Sequence, residues 1–456
     1  MKRFLRVFLL VSILTVLLIG TCVGGAVAET EKTRLTIWSM SRADLTYVEP
    51  RIKAYNESNP HNIELVLEIY TDNFLQAIDV AAATGGPDIV DLPNTLATFT
   101  NYVGNGYYVP IDQFMTEEDK ALWGDYAIEG ITAFNGEMYY YPVIGTTGRL
   151  IYNQDIFDRC GIAAPPQTLS EMVETAKIIT DTLSGEGIYG FAANFKSPAG
   201  ALLRSMDFMI ELSGGPNQGF DFAKGEYDFS FYKPFVEAYR TMFTTGIAFP
   251  GCESLDIDPL RTLFADGKIG MYISWSHAEP GVYASQFPTQ ANWNGTTIPV
   301  MDGYEKATQS VIGYHGYMIT RDCKNPELAW TAIKELFYGK DYLVGYQEAG
   351  LGVNMNPAIS AKAGTSALLE GKESFLLGPT DVMWPAVPQE LNSQAVQVEG
   401  ENMYNTIFAL ILGKGDIDST LADLTERYNA AYEKGIEQGL GTRVQIPGFD
   451  PAKPGG

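Results

Sequence analysis

The chain has 456 residues and a formal net charge of −24, from 31 Lys+Arg against 55 Asp+Glu. Phosphate backbones are held by Lys and Arg, so this balance excludes a nucleic-acid binder and disfavours anionic lipid. Only 3 His and 4 Cys are present, too few for a His/Cys zinc cluster, while 46% hydrophobic and 12% aromatic residues supply a large globular core.

Lys2, Arg3 and Arg6 precede an apolar run from Val7 to Ile19, and Ala26-Val27-Ala28 offers an A-x-A cleavage site. The run is shorter than the roughly 20 residues a membrane span needs, so residues 1–28 read as a signal peptide. Its removal takes away three positive charges and moves the net charge from −24 to −27. The expected location is outside the cytoplasm, in the periplasm or on the exterior of the cell envelope. Lipid anchoring through Cys22 is the weaker alternative, because Thr21 fits a lipidation signal poorly. The remaining Cys160, Cys252 and Cys323 read as small buried hydrophobes.

Leu35-Thr36-Ile37-Trp38 is the first predicted strand. A helix follows with Val48, Ile52 and Tyr55 on one face, and Asn59-Pro60 stops it. Ile63 to Tyr70 is a second strand. Asp72 caps a helix carrying Leu75, Ile78 and Ala82, Gly85-Gly86-Pro87 ends it, and Asp88-Ile89-Val90 begins a third strand. This alternation implies parallel pairing through right-handed crossovers. Thr168 and Glu171 form a capping box. Asn325-Pro326 opens a helix with Leu328, Ala332, Ile333, Leu336 and Phe337 on one stripe. Asp418-Ser419 opens a late helix bearing Leu421, Leu424, Tyr428 and Tyr432, and Ile446 to Gly456 reads as a mobile tail.

Four stretches in order carry a resemblance: Ala82 to Val90 after the strand-plus-Trp opening; Tyr139 to Ile162, with its Tyr-x-x-Pro and Tyr-Asn-x-Asp-x-Phe steps; Phe264 to Lys268 followed by Gly270-Met271 and Trp275; and Gly313 to Ile319 ahead of Asn325-Pro326. Together they resemble the bacterial extracellular solute-binding proteins of ABC importers, in the sugar-binding, maltose-binding-protein-like group. The resemblance implies an α/β fold of two lobes, type II, each a mixed sheet flanked by helices and joined by hinge strands. It places lobe one at 29–143 plus 312–356 and lobe two at 144–311 plus 357–456, with the first crossover near Pro142-Val143-Ile144. It also implies a ligand in the cleft, an ABC permease as partner, a monomer, and no cofactor.

A sugar offers flat C–H faces and a rim of hydroxyls, so aromatic platforms and polar partners are needed. At positions that look like the family's cleft stand Trp38, Trp275 and Trp384. Polar candidates are Ser39, Arg42 and Asp44 after the first strand, and Asn94 and Thr95 after the third. Thr146, Thr147 and Arg149 follow the first crossover, and Gly313, Tyr314 and His315 begin the return strand. Small residues there would let a ligand approach the backbone. Thr146 stands where related maltose-type proteins tend to have an acidic residue. Arg149 keeps uronates, sugar phosphates and glycerophosphodiesters open as ligands, since a cleft Arg binds carboxylate or phosphate bidentately. The overall acidity argues the other way.

Catalysis needs a nucleophile, acid or base with arranged neighbours. His61, His277 and His315 lie near no Gly-x-Ser-x-Gly elbow and form no His-Glu-x-x-His helix. The expectation is a non-enzyme that captures a mono- or oligosaccharide by hinge closure. The alternatives are the same fold with a non-sugar solute, such as a glycerophosphodiester, sugar acid or polyamine, and a secreted glycoside hydrolase, which needs only two carboxylates.

Overall fold

The computed structural model describes residues 32–42, 44–70, 74–92, 102–123, 127, 132–360, 362–363, 367–392 and 394–454. The expected signal peptide, Cys22, Asp72, Asn94 and Thr95 lie outside them. Among the described residues no helix is long and apolar enough to cross a membrane.

The first strand, Thr33–Ser39, buries Leu35, Ile37 and Ser39 on one face. The helix Leu45–Ser58 buries Tyr47, Val48 and Ile52. Asn59 both ends that helix and starts the next strand. Its N–H bonds Tyr55 O, and its side-chain amide brackets the Ile63 backbone at 2.9 Å on each side. The strand Ile63–Ile69 and the strand Ile89–Leu92 then pair parallel to the first strand on either side. Between them the helix Phe74–Thr84 buries Phe74, Ile78 and Ala81. That i, i+4, i+7 stripe corrects the expected Leu75/Ile78/Ala82 face: Leu75 is exposed.

The first sheet has five strands, ordered Ile63–Ile69, Thr33–Ser39, Ile89–Leu92, Gly316–Thr320, Tyr108–Val109. The strand Gly316–Thr320 returns antiparallel beside Ile89–Leu92. Its core draws on Leu35, Ile63, Ile89, Tyr141, Ile319 and Leu343, with Phe74, Val90 and Met318 clustered separately. The second sheet has four strands, ordered Trp293–Thr296, Gly148–Asn153, Ile269–Trp275, Tyr189–Phe191. Its core includes Leu150, Met172, Phe191, Phe264, Tyr272, Leu410 and Leu424. A three-stranded ribbon, Ile312–Tyr314, Ile144–Thr146 and Val353–Asn354, connects the two cores. The molecule is therefore a two-lobe mixed α/β fold.

In the second lobe Thr168 and Glu171 form the expected capping box. The late helix spans Ile417–Glu437 and is capped by Asp416, which accepts from Ser419 N at 2.9 Å, two residues earlier than expected. The helix Pro326–Ala332 runs into a π-type turn, Ile333–Phe337, and the Asn325 side chain makes no cap bond. The C-terminal segment is not a loose tail. Ile446 N donates to Phe222 O at 2.8 Å. The Phe449 ring contacts Phe222 at 5.0 Å and Trp384 at 5.4 Å. Pro451 O accepts from the Thr308 hydroxyl at 2.6 Å. Apolar anchors at two positions turn a Pro/Gly-rich end into a strap.

Candidate ligand-binding site

Parallel pairing puts the carboxyl ends of the strands Thr33–Ser39 and Ile89–Leu92 side by side, the usual ligand-binding edge of such sheets. Ser39 Oγ donates to Asp91 Oδ2 at 2.7 Å, and Ser41 Oγ donates to Asp44 Oδ1 at 2.6 Å. His315 lies between the two carboxylates. Its Nδ1 is 2.9 Å from Asp91 Oδ2 and its Nε2 is 3.5 Å from Asp44 Oδ2. Tyr346 OH donates to Asp44 Oδ2 at 3.0 Å. Burial alone would lower the His315 pKa, but the charge and hydrogen bond of Asp91, with Asp44 behind them, raise it to about 9. The residue holds φ +59, a left-handed conformation uncommon outside glycine, at the junction of ribbon and first sheet. Its carbonyl also accepts from Val143 N, on the other connecting strand, at 3.0 Å. His315 thus ties the ribbon to the first lobe.

The central strand of the second lobe ends at Trp275, half-buried, followed by Ser276 and His277. Ser276 N donates to Thr147 O at 2.8 Å. Thr147 N donates to Ser276 Oγ at 3.2 Å, and His277 Nδ1 is 2.6 Å from Thr146 Oγ1. Burial, then the charge of His315, pulls the His277 pKa down to about 3, so this imidazole is neutral. The Trp275 ring meets Phe208 edge-on at 5.6 Å, and the Arg204 guanidinium carbon lies 5.6 Å from its centroid. Behind it Glu279, fully buried, is held by Arg261 at 2.8 Å and by the Ser274 hydroxyl.

The structure therefore gathers Ser39, Asp44 and His315 on the first lobe, and Thr146, Thr147 and Trp275 on the second. It adds Asp91, Tyr346, Arg204, Ser276 and His277. Of these, Asp91 carried a signal, as the polar residue closing the third strand. The rest are joined only by the tertiary fold. Tyr314 pairs its backbone with Ile144.

Other candidates are placed differently. Arg149 is 1% exposed, and all five of its N–H groups are consumed. They go to the carbonyls of Ser374, Gly148 and Leu376 and to both oxygens of Asp381, in the same lobe. No donor is left for a ligand, so Arg149 is an internal strut. Trp384 is 4% exposed; the strap covers it, and its Nε1 donates to Thr308 Oγ1 at 3.0 Å. Trp38 packs at 4.5 Å against Tyr70 and donates to Glu68 Oε2 at 2.9 Å, on the opposite face of the strand from Ser39. Arg42 is exposed. Gly313 faces Gly145 in the ribbon, but a Cβ on Gly313 would lie 2.5 Å from Pro142 Cβ. Its small size admits Pro142, not a ligand.

A separate space of about 700 Å³ lies between the two lobes. It is lined by Asn105, Phe134 and Asn135 from the first and by Leu391, Asn392 and Thr442 from the second. None of the gathered polar residues lines it, and every side chain that does is uncharged. We take the strand ends as the candidate site, because groups from both lobes converge there on the ribbon, and this space as its neutral neighbour. Among the described residues no cluster of His, Cys, Asp and Glu suits a metal ion.

A family described as bacterial extracellular solute-binding protein matches residues 40–337. A binding protein of Brucella abortus (strain 2308) is 24% identical over 422 residues, covering 89% of this chain and 95% of that one. A solute-binding protein of an ABC transporter from Thermotoga lettingae, solved with α-D-tagatose, superimposes with a TM-score of 0.70 at 20% identity, covering 88% of this chain and 100% of the other. An ABC substrate-binding protein from Listeria monocytogenes, solved with cycloalternan, gives a TM-score of 0.66 at 16% identity, covering 88% and 99%.

Proposed function

We propose that this chain, which belongs to the bacterial extracellular solute-binding protein family, captures a carbohydrate between its lobes and delivers it to the permease of an ABC importer. The observation that carries this is Trp275, a half-buried indole ending the central strand of the second lobe beside polar groups of the ribbon. An indole face offers the flat apolar surface a sugar ring needs. The sugars held by the two structural neighbours support the same reading, as does the uncharged interlobe space. We assign the lobes to 29–143 plus 312–356 and to 144–311 plus 357–456, and we take the protein to be exported and monomeric.

The mechanism is closure about the ribbon. Ligand settles on one lobe, and contacts to the other stabilise the closed form. A micromolar dissociation constant requires about 8 kcal/mol net. Ring stacking and several hydrogen bonds must supply that after the cost of ordering two lobes. Binding, not turnover, is the activity of this family.

A thermal-shift screen of the mature chain against mono- and oligosaccharides tests the reading. At least one sugar should raise the melting temperature. A flat sugar panel, with a response to a polyamine or an amino acid, would overturn it.

A further inference from the structure

Arg204 is the C-cap of the helix Pro198–Leu203. Its Nε donates to Gly200 O at 2.6 Å, and among the described residues that is its one hydrogen bond. Among the described residues the other four N–H bonds have no protein acceptor. No carboxylate of the described residues comes within ion-pair distance, and the guanidinium carbon lies 5.6 Å from the Trp275 ring centroid. Arg149 is the internal contrast: equally a lobe-two arginine near the crossover, it spends all five donors on protein acceptors.

The carboxylates that could neutralise Arg204 are committed elsewhere. Glu279 is held by Arg261 at 2.8 Å and by Ser274. Asp256 caps the helix Ile257–Ala265 and pairs with Lys196 at 3.1 Å. Arg261 also takes Asp258 at 3.1 Å. Three cations and three carboxylates leave this wall neutral overall, but Arg261 takes two of the carboxylates and Lys196 the third, so Arg204 is the cation left without a contact ion pair among the described residues. Arg204 is half-buried, and this desolvation pulls its pKa down to about 10 despite the pull of Glu279. A half-buried charge with no contact partner carries a desolvation cost, and its free N–H groups remain within reach of an incoming counter-ion.

The place is right for a ligand. Trp275 is the proposed stacking platform, and His277, next to it, senses the Arg204 charge. The Arg204 carbonyl lies 3.1 Å from where a Cβ on Gly148 would stand, at the first residue of the second-lobe strand after the ribbon. The net charge of −24 does not forbid an anion here, because at physiological salt fields decay over about 8 Å. The local guanidinium decides.

We propose that Arg204, beside the Trp275 ring, receives an oxyanion of the ligand, so that the captured carbohydrate is acidic, carrying a carboxylate or a phosphate. A planar guanidinium fork matches either group with paired N–H···O bonds. The inference rests on the carbohydrate reading and narrows it.

The test is calorimetric titration of the mature chain with three probes: digalacturonate, the matched neutral digalactose, and galactose 1-phosphate. An acidic sugar should bind at least about tenfold tighter than the neutral one, as charge-assisted pairing requires. That preference should shrink as salt is added, a readout that needs no mutant. Arg204→Gln should collapse the acidic-to-neutral ratio. Arg204→Lys, which keeps the charge but not the fork, should restore only part of it, with both variants checked for an unchanged melting temperature. A response to digalacturonate assigns the carboxylate, and one to galactose 1-phosphate the phosphate. Equal or tighter binding of digalactose, with no effect of Arg204→Gln, overturns the inference and leaves the carbohydrate reading standing. No binding of any of the three, together with a flat neutral-sugar panel, overturns both.

Discussion

The two sides of the ribbon use buried charge in opposite ways. On the first lobe His315, Asp44, Asp91, Ser39, Ser41 and Tyr346 satisfy one another, and the cluster fixes backbone geometry. On the second lobe Arg204 lies half-buried beside Trp275 with one hydrogen bond and no carboxylate partner among the described residues. The first-lobe cluster fixes the backbone beside the candidate site, whereas Arg204 keeps donors free for the proposed ligand. The difference lies in the partners and not in residue type, which is why Arg149 and Arg204 take different roles within one lobe.

The largest expected effect breaks the saturated side. Asp91→Ala removes the carboxylate that holds buried His315 in its charged form and leaves His315 Nδ1 and Ser39 Oγ without that partner. Removing one partner of a buried pair costs about 3–5 kcal/mol, to be read by urea denaturation. A loss below 1 kcal/mol would mean the cluster is not the support described here.

Stability should also separate the lobes by pH. Burial raises Glu211 to about 8 and Asp207 to about 7, against opposing hydrogen bonds from Ser310 and from Tyr232 and Tyr404. A carboxyl raised in the fold holds its proton there while the unfolded chain has lost it. The second lobe therefore loses stability as pH climbs from the ordinary carboxylate range through about 7 and 8. His315, raised to about 9, contributes stability that is complete below its unfolded value and lost as pH rises through about 9. Hydrogen exchange followed lobe by lobe should show the two windows, and Glu211→Gln should shrink the first alone, leaving the part due to Asp207. A single shared window would contradict the separation.

Smaller effects test the peripheral assignments. Trp384→Phe keeps the ring against Phe449 and loses the bond to Thr308, so about 1 kcal/mol of stability should go with no change in ligand affinity. Thr168→Ala removes the capping-box hydroxyl, worth about 1 kcal/mol in the melting curve. A change in ligand affinity in the Trp384 variant would return that residue to the site.

The first lobe was legible because its signals are local. Asn59 stops a helix by its own side chain, and the strand–helix alternation needs only neighbouring residues. The helix Phe74–Thr84 shows the limit: two stripes one residue apart are nearly equally apolar, and only packing selects Phe74, Ile78 and Ala81. Of the candidate site, strand-end residues such as Ser39, Asp44 and Trp275 could be found by position. Arg204 could not, since nothing in Pro198–Leu203 announces that its C-cap will meet an indole 71 residues later. Trp384 and the tail differ from expectation together. Each looks exposed alone, and each covers the other once Phe449 and Pro451 dock.

The most direct measurement is a fluorescence titration of the mature chain with the sugar that gives the largest thermal shift, repeated on Trp275→Phe. The account predicts a saturable change in the unmutated protein that is lost in the variant while the melting temperature stays close to the original. An undiminished change and affinity in Trp275→Phe would contradict the placement of a sugar between the lobes at this strand end.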